Sequence, residues 1–287
     1  MLRKSLIMSS QDSVYKKMWE DVGDDAGKGY LEIKFRPTYR IGLTNYLREQ
    51  EIYQQLKPEK SDKVLDVGCA SGRQVFQIAP YVHEVRGVDI AQSFINQANC
   101  HKEERGVKNT EFRVAVIESL PYPNSYFNKV ICGEVLEHVF DEDIALNELL
   151  RILAPNGSLI ITVPNLNADG TLWGRFLRLI KLRIFRPMTE FSHKNLRKHG
   201  DSHVREFTTR TMKEWLKSRG LLIQTIKTVS WIDGPYFDFL LKVPLHITIW
   251  RNFIIWFEER LAKTGLPFGR HMILKVSKKD YPCPNSN

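Results

Sequence analysis

With 287 residues, 43% of them hydrophobic and 26% charged, the chain can bury a full core in one domain, or in one domain with insertions, and a disordered polypeptide is excluded. Its four cysteines, Cys69, Cys100, Cys132 and Cys283, stand far apart with no C-x-x-C pair, which argues against a disulfide framework and a structural zinc site and makes a reducing cytoplasm the simplest setting. The N-terminal apolar stretch is too short for a signal peptide and no apolar run spans a bilayer, so a net charge of +9 belongs to a soluble or peripherally attached protein.

Residues 1–60 read as a helical lead-in: "LTNYLREQEIYQQLK" places Leu43, Tyr46, Leu47, Ile52 and Leu56 at helical spacing. From 61 to 165 the texture changes to short β-rich runs, "KVLDVG", "EVRGVDI", "EFRVAVI", "KVICG" and "SLIITV", alternating with helical ones. Between the last two, "DEDIALNELLRIL" carries Leu146, Leu149, Leu150 and Leu153 on one face, closed by a Pro155-Asn156-Gly157 turn. Such alternation implies right-handed crossovers and a parallel sheet covered on both faces, a doubly wound α/β fold.

Residues 166–204 form a basic insertion. Nine basic side chains lie between 175 and 205 against Glu190 and Asp201, which suits either a solvated face or an anionic partner such as phospholipid, a phosphorylated substrate or nucleic acid. Residues 205–287 return to sheet-forming sequence and contain an apolar helical insertion at 232–268, rich in Phe, Trp, Ile and Leu. Both insertions can cap a site on the sheet, and both can dock on anionic headgroups through cationic and aromatic side chains.

In a sheet of this kind a ligand sits beyond the carboxyl ends of the strands, near the switch in strand order. The first strand runs into "LDVGCASGR", where Gly68 and Gly72 bracket a tight turn into a helix and let the backbone approach a ligand. Asp89 ends the second strand, 23 positions after Asp66, and an acidic side chain there can accept hydrogen bonds from both hydroxyls of a ribose. The loop lacks the middle glycine of a dinucleotide fingerprint, so a nucleoside without a diphosphate is favoured and a dehydrogenase is not.

The segments "VLDVGCASGR", "GVDI", "LPYPNSYFNKVICGEVLEHV" and "LLRILAPNGSLIITVPN" closely resemble class I S-adenosylmethionine-dependent methyltransferases, in particular the branch containing ubiquinone-biosynthesis O-methyltransferases. The resemblance implies a Rossmann-like seven-stranded sheet, mostly parallel with an antiparallel last strand, plus helical cap insertions. "SHVREFTTRTMKEWLKSRGLLIQTI" is similar to that branch's later helix and sixth strand, and "HMILKVSKK" to its last strand.

Carried over by residue, the resemblance implies that Asp66 orients the loop, that Gly68, Cys69, Ala70 and Gly72 pack against the methionine moiety, and that Asp89 binds the ribose. Ile90 and the backbone around Ile117 flank adenine, and Gly133 offers its carbonyl to the cofactor's amino group. Arg48, with Arg40 as alternative, is placed to meet the amino-acid carboxylate. Val116 stands where relatives commonly carry Asp, so that a side-chain contact to the adenine amine is lost or passes to Glu118.

"VICGEVLEHV" sets Glu134, Glu137 and His138 directly behind the fourth strand, and "DSHVREF" adds His203. Two carboxylates and two imidazoles form a mixed oxygen and nitrogen set suited to a divalent ion such as Mg²⁺ or Mn²⁺, and the pattern resembles the metal set of small-RNA 2'-O-methyltransferases. Without metal, His138 or His203 is a candidate general base, and a structural role for the cluster is the third reading. The expected reaction is methyl transfer to an oxygen or nitrogen of a small-molecule, lipid-linked or glycan acceptor. An RNA acceptor or an inactive cofactor-binding scaffold is the alternative, and no dedicated RNA-binding domain is present in the sequence.

Overall fold

The structure, a computed structural model, describes residues 40–166, 207–231, 247–267 and 269–278, together with Lys17, Glu20 and Asp21. The basic insertion beyond Leu166, including His203, and the first part of the apolar insertion lie outside the described residues.

Helix α1 (Arg40–Leu56) precedes strand β1 (Lys63–Val67), then come α2 (Arg73–Ile78), β2 (Glu84–Asp89), α3 (Gln92–Arg105), β3 (Thr110–Val114) and β4 (Phe127–Gly133). After these follow α4 (Glu142–Ile152), β5 (Leu153–Pro164), α5 (Thr209–Ser218), β6 (Leu221–Val229), α6 (Thr248–Lys263) and β7 (His271–Lys278). One seven-stranded sheet runs in the order β3-β2-β1-β4-β5-β7-β6, and the expected architecture holds: only β7 runs against its neighbours β5 and β6.

Strand periodicity divides the core into two layers, because successive side chains point to opposite faces. Val64, Ile131, Ile160 and Ile273 share one face with Ile52 and Leu56 of α1, Val75 of α2 and Ile95 of α3. Leu65, Val130, Leu159 and Leu274 lie on the other with Leu146 and Leu149 of α4 and Met212 and Leu216 of α5. Both layers are shielded from water, so these strands read as nearly continuous apolar runs rather than alternating ones.

Local signals set the helix boundaries. The Asp141 carboxylate accepts from the Asp143 and Ile144 N–H groups at 3.0 and 3.1 Å and starts α4. A reciprocal Thr208–Thr211 capping box starts α5. The Pro155–Gly157 turn departs from the expected helix stop. It lies within β5, in a bulge where Phe127 faces Leu153 but Lys129 faces Ser158, with Asn156 at φ +62°. The last apolar contact of the helix is therefore Ile152, while Leu153 already belongs to the strand.

The strand order reverses between β1 and β4, since β1 pairs with β2 on one side and β4 on the other, all parallel. Their carboxyl ends at Val67, Asp89 and Gly133 open one crevice at the switch point, where α/β sheets bind ligands.

Candidate active site

The turn after β1 is built from backbone that side chains resist. Gly68 stands at φ +77°, and a Cβ there would meet Val135 Cγ2 at 2.3 Å; Gly72, at φ +83°, would place one 2.7 Å from the Phe112 ring. Ala70 also adopts a positive φ of 44°. The turn is held to the end of β2: Gly68 and Cys69 N–H donate to the Val88 carbonyl, and Ala70 N–H donates to Asp89 Oδ2 at 2.9 Å.

Asp89 Oδ1 accepts from Ala91 N–H at 3.0 Å, so the carboxylate ties the first two βα turns together. A carboxylate has about four lone-pair positions, and those left over can receive a vicinal diol. Burial pushes the Asp89 carboxyl up, opposed by the N–H donors of Ala91, Ala70 and Ile90. Beyond it, Glu20 accepts from the N–H groups of Gln92 and Ser93 at 2.6 and 3.0 Å, which brings a residue of the N-terminal segment onto the start of α3.

Asp66 lies under the turn and is 4% exposed. Burial, reinforced by Glu49 and Asp89, pushes its carboxyl up to about 8, while Arg48 opposes the shift. Cys69 is a buried thiol whose pKa burial raises further, so it packs rather than reacts. Ile90 is half-buried beside Asp89, whereas Ile117 is buried in the core with Leu65 and Val67. Val116 is 40% exposed and bridges to Ser119, with no carboxylate at that position.

At the end of β4, Gly133 leads into Glu134 at φ +56°. The Glu134 side chain turns inward: Thr162 Oγ1 donates to Oε1 at 3.0 Å, and Arg48 Nη1 lies 3.6 Å from Oε2. His271 Nδ1 lies 3.3 Å from the same Oε2. Burial opposes its ionisation, yet the His271 imidazole and Arg48 guanidinium together hold Glu134 well below the usual carboxylate range.

Glu137 is 1% exposed, its Oε2 has no hydrogen-bond partner, and burial with Glu134 nearby pushes its carboxyl well up. His138 is also buried, with Nε2 3.8 Å from Glu137 Oε1.

The expected metal set does not assemble among the described residues. No group of three or more His, Cys, Asp or Glu is arranged to hold an ion there, and His203 lies outside them. The physical reason is that Glu134 is drawn onto Arg48, His271 and Thr162, and Glu137 is turned into the protein interior. His271 is the residue that sequence reading missed. It opens a strand 137 positions beyond Glu134, and only the antiparallel insertion of β7 between β5 and β6 brings the two together. Arg40 begins α1, but its side chain is outside the described residues.

The charge pattern fits S-adenosylmethionine, which carries a sulfonium, an ammonium and a carboxylate. Asp66 and Asp89 lie together beneath the turn with carboxyls pushed up chiefly by burial, and a cation bound there would favour their ionised forms. Arg48 supplies the opposite sign beside Glu134.

This strand order, with a glycine turn after β1, an acid closing β2 and a glycine closing β4, is the frame of a Rossmann-like S-adenosylmethionine-dependent methyltransferase. A family described as a methyltransferase domain matches residues 58–225, more than half of the chain, and the chain belongs to it. In Bacillus subtilis, the uncharacterized methyltransferase YcgJ is 32% identical over 99 residues, 34% of this chain and 39% of that protein. The chain thus matches only about two fifths of that relative by sequence. The YcgJ crystal structure, at 20% identity, covers 82% of this chain and 100% of its own with a TM-score of 0.51. The ubiquinone biosynthesis O-methyltransferase of Acinetobacter baylyi is 29% identical over 175 residues, 60% of this chain and 72% of that protein. A geranyl diphosphate methyltransferase solved with SAM has a TM-score of 0.53 at 15% identity, covering 81% of this chain and 84% of that one. At such identities the solved structures carry the fold alone.

Proposed function

We propose that this chain transfers a methyl group from S-adenosylmethionine to an oxygen or nitrogen of a small-molecule, lipid-linked or glycan acceptor. The observation that supports the donor is the clamp of Asp89 on the Gly68–Gly72 turn above the buried Asp66. The recurrence of relatives named ubiquinone biosynthesis O-methyltransferase favours an oxygen acceptor.

The donor supplies an electrophilic methyl on sulfur, so the protein's work is alignment and proton removal. In this reading Asp89 receives the ribose hydroxyls, Ile90 and the backbone around Ile117 flank the base, and the Gly133 carbonyl accepts from the amino group. Arg48, steadied by Glu134, pairs with the carboxylate. His138, beside Glu137 on the rim behind β4, takes the acceptor's proton.

The test is incubation of cell extract, separated into lipid, glycan and RNA fractions, with isotopically labelled methyl donor, followed by mass spectrometry. Label in a lipid or small-molecule fraction that is lost with His138→Ala supports the reading. Label confined to RNA would replace it. A general base contributes about 10²–10⁴-fold, so the variant should lose turnover on that scale while still binding S-adenosylhomocysteine.

A further inference from the structure

Outside the crevice, α6 carries an exposed face that donor binding does not use. At roughly 100° per residue, Ile249, Phe253, Trp256, Arg260 and Lys263 fall within about 40° of a single line along the helix. The opposite line holds Ile254, Glu258 and Ala262, all buried against the body of the protein. Along the outer line Ile249 is 85% exposed, Phe253 41% and Trp256 50%, and Ile249 is the most exposed large apolar side chain among the described residues.

The row is ordered rather than scattered. Phe253 stacks on Trp250 with ring centroids 5.3 Å apart and meets Trp256 at 6.0 Å, and the Arg260 guanidinium lies 5.5 Å over the Trp256 ring. The line therefore runs from apolar and aromatic at its start to cationic in its last turn. Glu259, the exposed acid of this helix, stands about 80° to one side.

We propose that this face of α6 docks the protein on a phospholipid surface bearing anionic headgroups. Aromatic rings beside cations are the combination that settles at the headgroup level, where rings enter the apolar boundary and Arg and Lys meet phosphate. Charge complementarity commits the choice, since Arg260 and Lys263 join a chain of net charge +9. A second copy of the chain fits less well. The exposed apolar atoms of this row offer an area on the order of 300 Å², short of the roughly 800 Å² per partner of a standard interface.

The surface is coupled to the crevice by packing. Ile254 on the inner side of α6 contacts Leu43 and Leu47 of α1, and the next residue on α1, Arg48, reaches Glu134. Docking through α6 would hold the helix that carries Arg48 close to the lipid surface. The inference does not depend on the acceptor proposed above.

The experiment is co-sedimentation of the full chain with phosphatidylcholine vesicles, with and without phosphatidylglycerol, at low and high salt. Binding to the anionic vesicles, weakened but not abolished by salt, is expected. Phe253→Ala/Trp256→Ala should weaken it by roughly tenfold or more, and Arg260→Gln and Lys263→Gln by about fivefold each with a smaller salt dependence. S-adenosylhomocysteine binding checks that each variant folds. Recovery in the supernatant with both vesicle types at low salt overturns the proposal. So does binding that is equal in every variant, which would assign attachment to another segment. A concentration-dependent dimer that the aromatic variant dissolves, without vesicle binding, would also overturn it.

Discussion

Ala70 N–H donates to Asp89 Oδ2 at 2.9 Å, joining the glycine turn after β1 to the last residue of β2 across 19 positions of chain. The same carboxylate accepts from Ala91 N–H at 3.0 Å, so one side chain shapes both walls of the donor crevice before any ligand arrives. Asp89→Ala removes that clamp and, in the proposed function, the ribose acceptor with it. Affinity for S-adenosylmethionine and S-adenosylhomocysteine should fall alike, since both carry the ribose. Hydrogen bonds to a charged group contribute about 1.5–3 kcal/mol, which sets a loss of at least tenfold by calorimetry. Unchanged affinity in a folded variant would remove Asp89 from the site.

Gly68 has no room for a side chain. Gly68→Ala puts a Cβ 2.3 Å from Val135 Cγ2 on backbone at φ +77°, combining a left-handed conformation with overpacking. Each effect costs about 1–3 kcal/mol, so thermal unfolding should move down by several degrees and donor binding should be lost. Shortening the neighbour as well, in Gly68→Ala/Val135→Ala, should recover part of the stability but not the φ-dependent part. A double variant no more stable than the single one would show that Val135 is not what the added Cβ meets.

Arg48 and His271 both reach Glu134 Oε2. Arg48→Ala should weaken S-adenosylhomocysteine by about tenfold or more through loss of a charge-assisted contact. It should leave 5'-methylthioadenosine, which has no amino-acid carboxylate, nearly untouched. Glu134→Gln keeps the shape but gives up the ion pairs with Arg48 and His271, and should reproduce the same selectivity in weaker form. Equal loss for both nucleosides would place Arg48 away from the carboxylate.

Donor binding should depend on pH through Asp66. Its carboxyl is pushed up to about 8 from an ordinary 3.8, so the folded free protein holds a proton that the unfolded chain has released. Stability of the ligand-free protein should therefore fall as pH rises from about 4 to about 8 and then level, because the folded state binds more protons throughout that window. A cationic donor favours the ionised form, so affinity should rise with pH and level above about 8. Asp66→Asn should flatten both profiles. Calorimetry in buffers of different ionisation heat would detect proton release on binding in the native chain and none in the variant.

Much of this was legible in the chain because it rests on local rules. Strand and helix alternation, the glycines of "GCASG" and the acid closing "GVD" each follow from backbone geometry over a few residues. They were sufficient for the sheet and its switch point. The bulge at Pro155–Gly157 was misplaced because the turn residues were legible and their pairing partner was not.

What only the tertiary structure decided is the direction in which the rim side chains point. Glu134 and Glu137 are equally spaced candidates in "GEVLEH", yet one is drawn inward by Arg48, Thr162 and His271 from three other elements, and the other is buried with a raised pKa. The same holds for α6. Its rings, Trp250, Phe253, Trp256 and Phe257, fall within about 120° of arc, and packing of Ile254 with Leu43 and Leu47 leaves Phe253 and Trp256 in water. Sequence spacing determines what can share a face of one element, whereas partners 86 and 137 positions from Glu134 meet it only after the sheet has closed, and those contacts decide charge, burial and role.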